Sequence, residues 1–552
     1  MSDVLTETAA AAAGQNTPLP VLELRNLSVS YADKHRTHRR VVHDVSLQIS
    51  PGEVLALVGE SGSGKSTTAQ AVIGLLAGNG RVDGGSILLN GTDIAGWSQK
   101  RLESIRGAKI ALIPQDPTSS LNPVLTVGAQ VEEVLRLHTK LPKTERRRRV
   151  LELLERVGIP EPERRAGQYA HELSGGMKQR VLIAAAIALE PQLIIADEAT
   201  SALDVTVQRR ILDLIDELRA ETGTAVLFVT HDLGVAADRA DQLVVLKDGR
   251  VQEQGPTTQV LANPASSYTR QLLADAPSIS PAVARPAPTP GREVTVAVSN
   301  LVQEFETGRN QPSFRAVDDV SFQVYRGSTH AIVGESGSGK TTTARALAGF
   351  QRPTSGSITI SGHELSGLDA KGLRQFRKHV QLVYQNPFTS LDPRQSIERI
   401  IEEPLLNFDP VPRPEREWIV RELLDRVHLP ANLLPKHPRE LSGGQRQRVA
   451  IARALVLNPE VLILDEAVSA LDVTVQSQIL ALLEELQAQL DLTYIFITHD
   501  LAVVRQIADT VSVMSAGRQV EAGTVTDVFD HPQHAYTREL IEAIPGNRKA
   551  RP

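Results

Sequence analysis

The sequence has no cysteine and few aromatic residues. None of its 552 residues is Cys, and Phe, Trp and Tyr together make up 3%. Without Cys, the chain has no disulfides, no thiolate-bound zinc, no iron–sulfur clusters and no thiol catalysis. So few aromatic rings argue against a surface on which single-stranded nucleic acid would stack.

Long apolar runs and an excess of positive charge are also missing. The best apolar stretch, Val181–Ala196, is interrupted by Glu190 and Pro191 and falls short of the roughly 18 residues that a membrane span requires. The formal net charge is −6, so no basic excess points to nucleic acid. The N-terminal residues lack the basic start and apolar core of a signal peptide. We therefore expect a soluble, intracellular chain with no nucleic-acid partner, which reaches a membrane only through other subunits.

The chain repeats a set of short motifs once. The first half contains Gly59-Glu-Ser-Gly-Ser-Gly-Lys65-Ser66-Thr67, and the second contains Gly334-Glu-Ser-Gly-Ser-Gly-Lys340-Thr341-Thr342. Leu-Ser-Gly-Gly, Asp-Glu-Ala and Thr-His-Asp recur in the same order, each 268 positions later. A period this long indicates duplicated domains, because solenoid repeats run about 20–50 residues.

A proline-rich segment separates the two halves. Between Asp275 and Arg292, five prolines alternate with Ala, Ser and Thr. This composition excludes a helix or a central strand and predicts a semi-extended linker. We expect a disordered tail over 1–20, a first domain over 21–275, a linker over 276–292, a second domain over 293–545 and a tail over 546–552.

Short apolar runs precede the repeated motifs. Val54–Val58 leads into the first glycine loop, and Leu193–Ala196 leads into Asp197. Runs of this kind between helical patterns predict buried parallel strands of an α/β sheet. Ligands of such sheets bind beyond the carboxyl ends of the strands, which is where the motifs lie.

The glycine loop of each half matches a phosphate-binding loop: Gly, four residues, Gly, Lys, then Ser or Thr, between a strand and a helix. Its glycines let backbone N–H groups converge on phosphate oxygens, and Lys65 or Lys340 adds positive charge. The hydroxyl of Ser66 or Thr341 is expected to bind Mg²⁺. Two nucleotide-phosphate sites are therefore predicted.

Paired carboxylates end a second apolar run in each half. Asp197 and Asp465 are placed to hold Mg²⁺ through water. Glu198 and Glu466 follow directly and would orient or deprotonate an attacking water. Alone, such an acid pair is also compatible with a helix cap or a solvated surface.

Leu-Ser-Gly-Gly opens a helical segment upstream of each acid pair. Ser174 and Ser442 would present a hydroxyl, backbone N–H groups and a helix N-terminus to an anion. Taken by itself, Ser-Gly-Gly is equally typical of a simple cap or turn. Its position before the apolar strand and the acid pair, in both halves, favours the anion site.

Together these motifs resemble those of the ATP-binding cassette (ABC) family, and the resemblance covers nearly all of residues 21–545. It implies an α/β fold of two tandem P-loop ABC ATPase domains, each a RecA-like parallel-sheet core with an inserted helical subdomain and a small β subdomain. It also implies that ATP and Mg²⁺ are the cofactors. In that family two cassettes close head to tail and hold ATP between them, so this chain resembles a self-contained intramolecular cassette pair.

The resemblance assigns a role to each matching position. One composite site would combine Lys65 and Glu198 with Ser442, and the other would combine Lys340 and Glu466 with Ser174. The residues expected to act in catalysis are Glu198, Glu466, His231, His499, Gln115 and Gln385. Those expected at the metal are Ser66, Gln115, Asp197, Thr341, Gln385 and Asp465.

The expected ATP contacts extend beyond the lysines. In the glycine loops they are Gly59, Ser61, Gly62, Gly64, Lys65, Ser66 and Thr67, with Gly334, Ser336, Gly337, Gly339, Lys340, Thr341 and Thr342. Elsewhere they are Tyr31, Ser174, Gly175, Gly176 and Asp204, with Phe305, Ser442, Gly443, Gly444 and Asp472. Tyr31 would stack on adenine, and Phe305 takes the equivalent place without the hydroxyl. Because both halves carry the full set, we expect both sites to hydrolyse ATP.

Two further features resemble the dipeptide, oligopeptide and nickel branch of bacterial uptake transporters. Related extensions follow Gln115 and Gln385, and each half ends on a Tyr-Thr-Arg segment, at Tyr268 and Tyr536. The branch implies import of short peptides, with two transmembrane permease subunits, an extracytoplasmic solute-binding protein, and a location at the cytoplasmic face of the cell membrane. Import of nickel, glutathione or another small solute is the alternative.

A tandem-cassette translation factor acting on ribosomes is the alternative from another class. Such proteins resemble this chain in having two cassettes and no membrane span. They usually join the cassettes by a long, charged helical arm that reaches RNA. The short and almost uncharged linker favours the transporter.

Overall fold

Each half of the chain builds one large and one small β-sheet. The computed structural model describes residues 19–34, 36–200, 203–279, 292–306, 313–385, 390–408, 411–469 and 471–546. The strands of the first half are β1 (Leu22–Ala32), β2 (His38–Ile49), β3 (Val54–Val58), β4 (Gly80–Leu89), β5 (Thr92–Asp93), β6 (Ile110–Ile113), β7 (Leu193–Asp197), β8 (Ala225–Val229), β9 (Gln242–Lys247) and β10 (Arg250–Pro256). The large sheet has the order β10-β9-β3-β8-β7-β6, and the small one has the order β2-β1-β4-β5.

Helices of the first half connect and flank these strands. They are α1 (Lys65–Ile73), α2 (Gln99–Glu103), α3 (Pro117–Ser120), α4 (Val127–His138), α5 (Lys143–Arg156), α6 (Pro162–Ala166), α7 (Gly175–Ile187), α8 (Val205–Thr222), α9 (Leu233–Arg239), α10 (Thr257–Ala262) and α11 (Ser267–Asp275). Helices α3 to α7 all lie between β6 and β7 in the sequence, and they form the predicted helical insertion.

The second half repeats this strand plan. Its strands are β11 (Val294–Phe305), β12 (Phe314–Tyr325), β13 (Thr329–Gly334), β14 (Ser355–Ile360), β15 (His363–Glu364), β16 (Val380–Val383), β17 (Val461–Asp465), β18 (Thr493–Thr498), β19 (Thr510–Ser515) and β20 (Arg518–Thr524). The large sheet has the order β16-β17-β18-β13-β19-β20, and the small one has the order β12-β11-β14-β15. The two topologies are therefore the same.

The described helices of the second half have the same arrangement along the chain as those of the first half. They are α12 (Lys340–Leu347), α13 (Ala370–His379), α14 (Ile397–Phe408), α15 (Arg413–Arg426), α16 (Gly443–Leu455), α17 (Val473–Leu490), α18 (Leu501–Ile507), α19 (Val525–Asp530) and α20 (Ala535–Glu542). Helices α14 to α16 form the inserted region between β16 and β17. Residues 386–389, within the extension expected after Gln385, lie outside the described residues.

The large sheets have parallel cores because their strands are short, apolar and buried on both faces. All five residues of β3 are buried, and so are all five of β7. Strand β3 pairs in parallel with β8 and β9, while β10 runs antiparallel at the edge. A continuous apolar core joins the small sheet to the large one, with Leu24, Val45 and Leu57 in one cluster. The predicted α/β class, with its parallel core, β subdomain and helical insertion, is confirmed.

The described residues form two compact units. One takes the chain up to residue 202 together with Ile211–Thr230 and Arg239–Ser266. The other takes Leu203–Arg210, His231–Asp238 and the chain from Ser267 onward. Most of the predicted linker and of both predicted tails lies outside the described residues. No helix of the described chain is long and apolar enough to cross a membrane.

Strand order places the sequence motifs at one end of each large sheet. In the first half, the glycine loop follows β3, Asp197 ends β7, and Thr230 follows β8. Because β3, β7 and β8 are parallel, their carboxyl ends meet at the same edge. The chemistry-bearing residues are therefore gathered where ligands of such sheets bind.

Candidate nucleotide-binding sites

Each glycine loop wraps its own lysine. Lys65 begins α1, and its Nζ donates to the backbone oxygens of Gly59 at 2.7 Å and Glu60 at 2.8 Å. Lys340 makes the same two bonds in the second loop, to Gly334 and Glu335, both at 2.8 Å. Both ammonium groups are thus held inside the loop. Burial lowers the pKa of Lys340, and nearby carboxylates, among them Asp204 and Glu466, oppose that shift.

The first glycine of each loop admits no side chain. Gly59 has φ 145°, and a Cβ there would lie 2.1 Å from the backbone oxygen of Leu246. Gly334 has φ 148° and would meet the oxygen of Met514 at the same distance. Only glycine fits this backbone and this close approach. The loop is a backbone cradle in both halves.

A hydroxyl and a carboxylate meet at the end of each loop. Ser66 Oγ donates to Asp197 Oδ1 at 2.9 Å, and Thr341 Oγ1 lies 3.4 Å from Asp465 Oδ1. Burial raises the pKa of Asp197, with the Ser66 hydrogen bond opposing it. Burial, assisted by the charge of Glu466, raises the pKa of Asp465 to about 6. A bound cation would reverse these shifts by favouring the ionised carboxylates.

The glutamates that follow have a strained backbone. Glu198 has φ 47° and Glu466 has φ 49°, in the left-handed region that non-glycine residues rarely adopt. Gln115 Nε2 donates to Glu198 Oε2 at 2.6 Å, and Gln385 Nε2 donates to Glu466 Oε2 at 2.7 Å. The structure therefore joins each predicted glutamine to the predicted base of the same half.

His499 faces the second of these glutamates. Its Nδ1 lies 3.5 Å from Glu466 Oε1, and both side chains are largely buried. Burial opposes charge on both groups, but their hydrogen bond and mutual attraction outweigh it. The pKa of Glu466 is therefore lowered and that of His499 raised. His231, the predicted counterpart in the first half, is half-buried just beyond β8.

Both Leu-Ser-Gly-Gly serines cap a helix. Ser174 Oγ accepts from the N–H of Met177 at 3.4 Å at the start of α7, and Ser442 Oγ accepts from Gln445 at 3.3 Å at the start of α16. In turn, Gln445 Oε1 accepts from the N–H of Ser442 at 3.0 Å, whereas the Met177 side chain has no oxygen that could accept such a bond. The cap, an alternative left open by the sequence, is present. The predicted anion contact stays a prediction.

Asp204 contacts the second glycine loop. Its Oδ1 accepts from the backbone N–H of Ser336 at 2.8 Å and from its hydroxyl at 3.0 Å, all within the second compact unit. Asp472, its counterpart, is half-buried and occupies the N-cap position of α17. Tyr31 and Phe305, the predicted adenine contacts, lie on β1 and β11, and Phe305 is 38% exposed. The predicted glycines after each serine begin α7 and α16.

A buried serine hydroxyl in each loop, which the sequence analysis did not single out, also suits a phosphate ligand. The hydroxyls of Ser63 and Ser338 are buried in the loops and have no hydrogen-bond partner among the described residues. An anion in the cradle would give these hydroxyls an acceptor. Neither serine was among the predicted contacts. The signal was present, since each directly precedes the Gly-Lys pair.

The donor set at each carboxylate suits Mg²⁺ better than a transition metal. Across the described ranges, no group of three or more His, Asp and Glu side chains could hold a metal by itself. One hydroxyl and one carboxylate, such as Ser66 and Asp197, are hard oxygen donors. Mg²⁺ commonly takes one or two protein oxygens and completes its shell with water and phosphate. The residues therefore fit Mg²⁺ held jointly with a nucleotide.

Comparison with known families decides the identity. The ABC transporter model matches residues 42–201 and again residues 317–469. The chain belongs to the ABC transporter family. It is an ABC ATPase with two cassettes, as predicted. A second model, of the oligopeptide/dipeptide transporter C-terminal region, matches residues 252–299 and 520–552.

Two of the similar proteins match this ABC ATPase over almost its whole length. The glutathione import ATP-binding protein GsiA of Pectobacterium atrosepticum is 42% identical, covering 95% of this chain and 89% of the relative. The peptidoglycan transport ATP-binding protein YejF of Agrobacterium fabrum is also 42% identical, covering 95% of this chain and 96% of the relative. Among solved structures, cbiO1 from Clostridium perfringens matches with 31% identity and a TM-score of 0.40, covering 44% of this chain and 92% of that one.

Proposed function

We propose that this ABC ATPase powers an importer of short peptides. The observation that carries the proposal is the oligopeptide/dipeptide transporter C-terminal region, which matches in both halves, at 252–299 and 520–552. The names of the two relatives give glutathione import and peptidoglycan transport. Glutathione is itself a tripeptide, and peptidoglycan contains short peptides. A small peptide is therefore the solute that these findings share.

Each site hydrolyses ATP with the residues that its loop and neighbouring strands bring together. In the first half, the loop amides and Lys65 would bind phosphate oxygens, and Ser66 with Asp197 would hold Mg²⁺. When bound, Mg²⁺ supplies counter-charge to the triphosphate. Glu198 orients the attacking water and accepts its proton, while Gln115 holds the glutamate in place through their 2.6 Å bond.

The second site carries the same set in Lys340, Thr341, Asp465, Glu466 and Gln385. The lowered pKa of Glu466 keeps its carboxylate ionised and able to accept a hydrogen bond from water. The raised pKa of His499 favours an imidazolium, which would stabilise negative charge on the γ-phosphate. Both groups thus carry the charge that their proposed roles require.

The two sites are composite, each completed by the serine motif of the other cassette. Lys65 and Glu198 would act with Ser442, and Lys340 and Glu466 with Ser174. Support comes from Asp204, which belongs to the first half of the sequence and accepts two hydrogen bonds from Ser336 in the second glycine loop. ATP bound across such sites would draw the cassettes together, and loss of the γ-phosphate would release them.

The partners follow from the proposed activity. Two transmembrane permease subunits would receive the motion, and an extracytoplasmic solute-binding protein would deliver the peptide. The ATPase would then work at the cytoplasmic face of the cell membrane. Glutathione is the second candidate solute, favoured by the 42% identity to the glutathione import protein.

The partner proposal is tested by mass spectrometry of proteins that co-purify with the chain from detergent-solubilised native cells. Two polytopic membrane subunits are expected. Ribosomal proteins without membrane subunits would overturn the importer. Uptake of labelled dipeptide and of labelled glutathione by cells with and without the chain would then separate the two solutes.

The catalytic assignment predicts a specific failure of the Glu198→Gln, Glu466→Gln double variant. Without either base, steady-state ATP hydrolysis should fall by about 100-fold or more, while ATP still binds because the loops are intact. Phosphate release and equilibrium ATP binding measure the two effects. Glu161→Gln is the matched control, because the backbone of Glu161 is also in the left-handed region, at φ 51°, and the residue lies outside the sites. Rapid turnover by the double variant would contradict the assignment.

A further inference from the structure

Tyr536 lies against the second glycine loop. The backbone N–H of Glu335 donates to the Tyr536 hydroxyl oxygen at 3.1 Å. Tyr536 is the second residue of α20, and its side chain is half-buried. Burial raises its pKa to about 12, so the hydroxyl stays neutral at physiological pH. None of the roles given above to the second site uses this side chain.

Glu335 also holds the lysine of the loop. Its backbone oxygen accepts from Lys340 Nζ at 2.8 Å and from the N–H of Ser338 at 3.1 Å. Glu335 therefore contacts both groups. Its backbone N–H bonds to the Tyr536 hydroxyl, and its backbone C=O bonds to the Lys340 ammonium. A shift of Glu335 would move one of the two acceptors that position Lys340.

The segment that carries Tyr536 is itself anchored. Glu521 on β20 accepts from the backbone N–H groups of Gln533 at 2.8 Å and His534 at 3.1 Å. His534 Nδ1 in turn accepts from the N–H of Tyr536 at 3.2 Å. These bonds fix the start of α20 to the sheet. The residue that carries the hydroxyl is therefore hydrogen-bonded, through His534, to a segment that Glu521 ties to the sheet.

The first half repeats the anchor and the tyrosine. Glu253 accepts from the N–H groups of Ala265 at 2.7 Å and Ser266 at 3.1 Å. Tyr268 follows two residues later, as Tyr536 follows His534, and it is 7% exposed. Both halves thus keep the glutamate, the tyrosine and the spacing between them, although their sequences differ at many positions between these two residues.

We propose that Tyr536 is a positioning residue of the second ATP site, which fixes Glu335 and through it Lys340. The segment from β20 to α20 is then a structural part of that ATP site, and its role goes beyond that of a C-terminal extension of the cassette. Its match to the oligopeptide/dipeptide transporter C-terminal region, over 520–552, gives that region a defined task in this chain. The inference rests on the proposed assignment of the loop to ATP.

Binding of ATP to the full chain tests the proposal. Lys65→Ala disables the first loop, so calorimetric titration of that variant with ATP reports on the second. Adding Tyr536→Phe removes only the hydroxyl and should weaken ATP binding about threefold to tenfold, the effect of losing one hydrogen bond. In steady-state hydrolysis, adding Tyr536→Phe to Lys65→Ala should raise KM for ATP and leave kcat nearly unchanged relative to Lys65→Ala alone.

Tyr494→Phe is the matched control. Its buried hydroxyl donates to the backbone oxygen of Leu483 at 2.9 Å, so the variant also loses one buried hydrogen bond. Tyr494 pairs with Thr329 at the start of β13, at the opposite end of that strand from the loop. We expect it to lower stability and to leave the affinity for ATP unchanged. Equal loss of affinity in both variants would reduce Tyr536 to a merely structural role and overturn the proposal.

Hydrogen exchange decides the inference independently of ATP. In the otherwise native chain, Tyr536→Phe should speed exchange at the Glu335 amide, because that amide loses its acceptor. Tyr494→Phe should not. Unchanged exchange at Glu335 overturns the inference even if ATP binds normally. Failure of the native chain to bind ATP would instead overturn the proposed function, so the two failures are distinguishable.

Discussion

At the scale of single residues, the two halves differ at a buried position of the central strand of each large sheet. His330 occupies the position on β13 that Leu55 occupies on β3. Its ring stacks on Phe322 with centroids 4.5 Å apart, and its nitrogens lie 2.8 Å from Thr510 Oγ1 and 2.9 Å from Ser512 Oγ. Burial lowers the pKa of His330 to about 3. The imidazole is therefore neutral in the folded chain.

This histidine should make the second cassette sensitive to acid. In the unfolded chain, the pKa of this histidine is near 6.5, whereas in the folded chain it is about 3. Between these two pH values only the unfolded chain binds the proton, so the free energy of unfolding falls as the pH is lowered. His330→Leu removes this effect. From pH 7 to pH 5, the unfolding free energy of the native chain should fall about 2 kcal/mol more than that of the variant. Denaturant titrations at the two pH values measure this difference, and parallel losses would contradict it.

At the scale of elements, the two serine-capped helices are unequal. Helix α16 has a reciprocal capping box between Ser442 and Gln445, whereas α7 has only the bond from Met177 to Ser174. A capping box satisfies two N-terminal amides instead of one. The start of α7 should therefore open more readily than the start of α16.

Met177→Gln should supply the missing half of the box. The new side chain would accept from the N–H of Ser174 and stabilise the start of α7 by about 0.5–1 kcal/mol. Amide exchange over the first turn, compared with the native chain, measures the gain. Gln445→Met is the reciprocal control and should destabilise α16 by a similar amount. Exchange that is unaltered in both variants would show that the box contributes nothing.

At the scale of the whole molecule, the chain holds two complete sets of loop, carboxylates and glutamine. The distances within the sets are alike: 2.6 Å from Gln115 to Glu198, and 2.7 Å from Gln385 to Glu466. Both sets therefore carry the groups that the proposed mechanism of hydrolysis requires. Whether the two sites work independently depends on the proposed sharing of serine motifs between cassettes.

Lysine variants test this sharing. Independent sites would leave Lys65→Ala and Lys340→Ala with activities that add up to that of the native chain. Composite sites need ATP at both positions to hold the cassettes closed, so each single variant should keep less than half of the native ATPase rate. The double variant should have none. Steady-state phosphate release from the purified chain measures all three, and single-variant rates that add up to the native rate would contradict the composite arrangement.

The sequence was sufficient for features that are local or periodic. The glycine loop is contiguous, so its phosphate chemistry could be recognised from residue types and spacing alone. The duplication and the α/β class followed from repeated motifs and from apolar runs such as Val54–Val58, because burial on both faces dictates such runs. The ABC family, with its ATPase activity, was predicted on these grounds and is confirmed.

Tertiary structure decided what depends on contacts between distant residues or on backbone conformation. The bond from Gln115 to Glu198 spans 83 positions and that from Glu335 to Tyr536 spans 201, and no local pattern encodes such pairs. The left-handed backbone of Glu466 is equally hidden, because a glutamate gives no sign of a positive φ. By itself, the sequence determined which chemical groups are present and in what order along the chain. Folding alone decided which of them touch, since the strand order that unites them arises from packing of the whole core.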